Sequence, residues 1–239
     1  LLSGDEPKTE QEPEVPLETP LEPTQSGLGR LDINGIATGV FGSVIASAGT
    51  VGGSGMVGGS LDNQGAIVAP GEEIGILNLA DTYLQSSGGT LAIEVAGTGA
   101  AGDTNGHDQL STTGAAMLDG ALEVSATGFD GMRGQDYTIA VVTAVSQSGT
   151  FSSEPAAGAH LGFGLFAGDG QGGEVVSYDG TAVQFTYLAA LEGDSDGDRD
   201  IDITDFNFLA ANFTPAGYGG STTSIPEPAG FLLVVTGLV

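Results

Sequence analysis

Apolar residues in the middle of the chain recur at every second position. Leu91, Ile93 and Val95 alternate with Thr90, Ala92 and Glu94, and Val183, Phe185 and Tyr187 alternate with Gln184 and Thr186. Leu122 and Val124 flank Glu123, and residues 137–142 form a run rich in β-branched side chains. Alternation of this kind buries one face of a short strand. Turn signals separate the runs: Asp62-Asn63-Gln64-Gly65, Pro70-Gly71, Ser87-Gly88-Gly89, Asp119-Gly120 and Asp179-Gly180. Between residues 27 and 190 no window carries the helical period of 3.6. The pattern predicts an all-β body over 27–190.

Past that body the period changes. Phe206, Leu209, Ala210 and Phe213 fall at i, i+3, i+4 and i+7, an apolar stripe on one short helix, which Pro215 stops.

The acids just before this helix are also periodic. With Asp194 as position 1, Asp196, Asp198, Asp200, Asp202 and Asp205 stand at positions 3, 5, 7, 9 and 12. That is the oxygen-ligand spacing of a twelve-residue calcium loop, because a large hard cation takes six to eight oxygens and alternate residues of a tight loop point inward. Asp194, Asp196 and Asp198 are expected to ligate Ca2+ by side chain, Asp200 by its carbonyl, Asp202 through a water, and Asp205 to close the shell. Ile201, at position 8, is expected to anchor the loop to a core. Six carboxylates beside one arginine repel, so the segment is expected to be disordered until the ion binds.

Composition narrows the function classes. The 239 residues include 42 Gly, no Cys and no Trp, and four Lys+Arg face 31 Asp+Glu for a net charge of −27. Such a charge repels nucleic acid and anionic membrane surfaces. The lack of cysteine removes disulfide frameworks and thiolate chemistry. Residues 1–26 mix Pro with Glu and Thr and have little to bury, which reads as an extended acidic linker.

Catalytic signatures are missing from the body. No G-x-S-x-G elbow, Walker-type loop or H-E-x-x-H occurs. Glu72 and Glu73 are adjacent, so in a strand their side chains would face opposite ways. His107 (in an Asn-Gly turn) and His160 are expected on surface loops, and Arg30 and Arg133 as surface ion-pair partners. The protein is expected not to be an enzyme.

Three family resemblances extend this reading. The stretch from GTVGGSGMVGGSLDNQG through GGTLAIEVAG, with the later DQLSTTGAAMLDGALEVSATGF and AVQFTYL, resembles the passenger-type repeats of autotransporter-like surface proteins. That implies a right-handed parallel β-helix, or solenoid, closed by a less regular β cap. GDSDGDRDIDITDFNFLAANF, within residues 191–214, resembles one half of a type I dockerin, a module that plugs into cohesin domains. By position, Ile203 and Thr204 fall where dockerins contact cohesin. Arg199 stands where the family has glycine, and only one of the usual two copies is present.

Past a linker at 215–223, Pro226-Glu227-Pro228 precedes an apolar run from Ala229 to Val239. Residues 224–239 resemble a truncated PEP-CTERM sorting signal, which implies processing by an exosortase-type enzyme and membrane contact through this tail alone. Together the resemblances point to planctomycete-type bacteria and to export, to the cell surface or extracellular matrix. The expected function is structural or adhesive, with a cohesin-like domain or an extracellular polysaccharide as partner and no nucleic acid. The alternatives are an accessory C-terminal region of a polysaccharide-degrading enzyme, or a cohesin-binding subunit of a multi-enzyme assembly.

Overall fold

In the computed structural model, the described residues are 24–25, 29–37 and 43–212. Residues 1–23 of the acidic linker, Phe213, Pro215 and the Pro226-Glu227-Pro228 tail lie outside them, while Thr24 and Gln25 within that linker form a two-residue strand. The chain runs through strands in a three-beat order. First come β1 (Thr24–Gln25), β2 (Arg30–Asp32) and β3 (Ile36–Ala37), then β4 (Val44–Ala46), β5 (Thr50–Gly53) and β6 (Met56–Val57). Next are β7 (Leu61–Asn63), β8 (Ile67–Pro70) and β9 (Ile76–Leu79), followed by β10 (Tyr83–Gln85), β11 (Thr90–Val95) and β12 (Gln109–Thr112). A last round, β13 (Ala115–Leu118), β14 (Ala121–Ala126) and β15 (Gln135–Thr143), leads to β16 (Ser146–Gly149).

Every third strand joins the same sheet. One sheet has the order β1-β4-β7-β10-β13-β16, a second β14-β11-β8-β5-β2, and a third carries β15-β12-β9-β6-β3, all paired in parallel. The fold is mostly β, as the alternation predicted, and its sheets are parallel, which the alternation alone did not indicate.

Parallel register stacks like on like. Leu31, Val51, Val68, Leu91 and Leu122 form one continuous inward ladder. Leu77, Leu110 and Val142 form another. Val51, Val68, Leu91, Leu77, Leu110 and Val142 are fully buried, and each such side chain contributes roughly 1.5–3 kcal/mol relative to exposure. β11 shows the alternation directly, with Leu91, Ile93 and Val95 buried and Thr90, Ala92 and Glu94 half-buried.

Buried polar side chains satisfy the corners. Asn63 Oδ1 accepts from Ala66 N at 2.9 Å, and Gln85 Nε2 donates to the carbonyls of Asp119 (2.8 Å) and Ala121 (3.0 Å). A buried corner without such partners would leave backbone groups unpaired at a cost of about 1–3 kcal/mol each.

The third sheet ends in an antiparallel cap. It comprises β17 (His160–Gly162), β18 (Leu165–Ala167), β19 (Val176–Tyr178) and β20 (Ala182–Ala189), with β20 paired to β15, β18 and β19. Tyr137 and Tyr187 stack across β15 and β20 at 5.6 Å, and Phe129 packs edge-on to both. Among the described residues the only helix is α1 (Ile203–Asn212), which follows the cap. None there is long and apolar enough to cross a membrane.

Candidate metal centre

The chain leaves β20 and enters the aspartate loop within four residues. Gly193 turns it at φ +106°, and Asp194 N donates to Leu191 O. The loop then curls around its own first carboxylate. Asp194 Oδ1 accepts from Gly197 N at 2.6 Å and Oδ2 from Arg199 N at 3.1 Å. The last carboxylate closes the curl, since Asp205 Oδ1 accepts from Ser195 N (2.5 Å) and Oδ2 from Asp202 N (2.7 Å). Asp194 and Asp205 are buried. These donors set the shape of the loop around its first and last carboxylates.

The six predicted ligands gather as two triads. Asp194, Asp196 and Asp198 can each bring an oxygen within 4.8 Å of the others, and so can Asp200, Asp202 and Asp205. Such a set of carboxylates is able to hold a metal ion. Asp196 Oδ1 is shielded from solvent and has no hydrogen-bond partner. Asp202 has a second task as the N-cap of α1, accepting from Thr204 N at 2.6 Å.

Electrostatics divide the carboxylates. Backbone N–H groups of Asp202 and Ser195 hold Asp205 below the usual carboxylate range. Desolvation, then the Asp198 and Asp205 charges, push Asp196 up. The Asp198 charge, followed by desolvation, does the same to Asp200. A divalent cation would reverse both upward shifts, because it favours the ionised form.

Two details depart from the sequence reading. Ile201 is 59% exposed and lies outside the hydrophobic core of the described residues, with its side chain close to Gly193. The anchoring is done instead by Gly197, which lies against the ring of Phe166 so closely that a Cβ would come within 2.7 Å of it. Ile203, Phe206 and Leu209 are exposed too, so the apolar stripe of α1 has nothing packed on it among the described residues.

The histidines and arginines outside the loop are only partly as expected. His160 is exposed and meets Phe166 edge-on, but it opens strand β17 and is not on a loop, and Arg30 pairs with Asp32 at 2.5 Å. His107 is buried, not on a surface loop, because residues 96–106 fold back over it through Ala96 N to Gly106 O and Gly102 N to His107 O. Its ring nitrogens make no close hydrogen bond, and burial lowers its pKa against the nearby Ala140 and Gly99 backbone groups, which act to raise it. Arg133 lies over the Phe129 ring at 5.0 Å and donates to the carbonyls of Phe163 and Gly164, not to a carboxylate. Nothing in the sequence signals the contacts of Arg199, whose partners Asp136 and Asp169 lie far away along the chain. No protein-family model matches the chain, and no curated protein matches it.

Proposed function

We propose that this chain is an exported, non-enzymatic structural or adhesive protein whose aspartate loop binds Ca2+. The observation that carries the reading is the alternating carboxylate array closed on itself by Asp194 and Asp205, with the Asp196 Oδ1 atom shielded and unpartnered inside it. A cation of calcium's size and hardness suits an all-oxygen set on a short loop, and nitrogen- or sulfur-seeking metals have no ligand of their kind in it.

In this reading the body is a parallel β-helix. The three-beat strand order and the inward ladders support it, and the strong chiral preference of parallel crossover connections favours the right-handed form. The cap closes one end and presents the loop. Non-catalytic use is supported by the sequence, which carries no G-x-S-x-G elbow, Walker-type loop or H-E-x-x-H motif. Sorting through Pro226-Glu227-Pro228 by an exosortase-type enzyme, and attachment to polysaccharide, belong to the same reading.

A second reading, cohesin-type capture, is favoured by one observation: Ile203, Phe206 and Leu209 form an exposed apolar set next to the loop. Calcium-dependent retention of the chain on an immobilised cohesin domain supports it, and no retention dismisses it.

The metal reading is tested by titrating Ca2+ into the labelled full chain and following the amide resonances of residues 194–205. Shifts confined to the loop and α1, absent after Asp194→Ala/Asp198→Ala, are expected. Unchanged spectra in the parent would sink the reading.

A further inference from the structure

Arg199 is the lone cation among the loop's carboxylates, yet its side chain points out of the loop. Its backbone is held at φ +79°, a left-handed conformation that a side chain disfavours by about 1–2 kcal/mol. Glycine would adopt it freely. What the arginine does there is reach the cap. Nε donates to the Asp169 carbonyl at 2.6 Å, and the guanidinium pairs with the Asp136 carboxylate on β15. The Asp169 turn is itself braced, its carboxylate accepting from Gln171 N (2.8 Å) and Gly173 N (2.9 Å). The Gly197 carbonyl approaches Gly170 closely, and Gly197 lies on the Phe166 ring of β18. The loop therefore meets the cap at Phe166, at the 169–170 turn and at Asp136.

We propose that Arg199 is a latch coupling ion binding in the loop to the order of the cap, so that Ca2+ stiffens β15 and the 168–173 turn as well as the loop. The inference rests on the calcium reading above. Its physical basis is that Arg199 N donates to Asp194, a predicted ligand, while its side chain grips the cap. Fixing the position of Asp194 with an ion fixes the Arg199 backbone, and so the geometry from which the guanidinium reaches Asp169 and Asp136. Coupling is reciprocal: a cap that holds the latch must also favour the ion-bound loop.

The test uses the full chain, an Arg199→Gly variant and an Asp136→Asn variant. Arg199→Gly relieves the backbone and leaves every carboxylate in place, and Asp136→Asn lies outside the loop altogether. Calorimetry with Ca2+ and hydrogen exchange with and without Ca2+ are measured on all three. In the parent, Ca2+ should slow exchange of the Gln171 and Gly173 amides by about fivefold or more, at the low end of ordinary coupling energies. In Arg199→Gly the calcium heat persists and that slowing is lost; in Asp136→Asn the slowing is reduced. Calcium heat in the parent with no change at Gln171 and Gly173, or an equal slowing in Arg199→Gly, overturns the latch and leaves the calcium reading standing. No heat in the parent overturns both.

Discussion

Asp108 is a single side chain on which two rounds of the chain depend. It is almost fully buried, and its oxygens accept from Gly75 N (2.8 Å) and Glu94 N (2.9 Å), a cross-brace between the segments before β9 and within β11. Burial outweighs those bonds and raises its pKa to about 7. The folded state then holds this proton more tightly than the unfolded chain does, so the contribution is full below the unfolded carboxylate range. It is lost as pH rises towards 7, by on the order of 2–4 kcal/mol. Urea unfolding of the parent should show this decline between pH 4 and 7, and Asp108→Asn should flatten it. An unchanged slope in the variant would assign the dependence elsewhere. At Gly197 the prediction is steric: Gly197→Ala combines φ +77° with a methyl 2.7 Å from the Phe166 ring. It should cost at least about 1–2 kcal/mol in denaturant melts. Residues of this kind were only half legible. The Asn105-Gly106 turn is plain in the sequence, but nothing local says that the loop folds back and buries His107 beneath it.

Strands were the most legible elements, because each carries its burial period within itself. Residues 90–95 and 183–187 alternate in sequence and alternate in burial as β11 and β20. α1 was legible as a helix and illegible as a neighbour. The period of Phe206, Leu209 and Ala210 states that one side is apolar without saying what covers it, and among the described residues the stripe faces solvent. Replacing Phe206 and Leu209 by Ser should therefore leave stability within about 0.5 kcal/mol per site, the usual range for surface changes. Thermal melts check this, and a large drop in melting temperature would mean that the stripe is packed in solution. The spacing of the aspartates was fully visible. Arg199 could be seen to break the glycine pattern, yet its reason lies in Asp136 and Asp169, which only the tertiary fold brings near.

Over the whole molecule, stability comes from ladders that cross many turns of chain. Leu91 sits mid-ladder between Val68 and Leu122, so Leu91→Ala should cost about 2–5 kcal/mol and lower the single unfolding transition of the body. Two separate transitions in the variant would contradict one continuous core. Such long-range parallel pairings are what sequence period cannot assign: it marks which face of each strand is buried, and leaves open that every third strand shares a sheet. The charge of −27 acts on this same scale. Self-repulsion disfavours the compact state, and a divalent ion bound at the loop, as proposed, would relieve it among the six carboxylates there. Isothermal calorimetry of the full chain with Ca2+, run beside Asp194→Ala/Asp198→Ala, tests that claim most directly. A saturable heat in the parent that disappears in the variant is the predicted result; indistinguishable traces from the two proteins would contradict it.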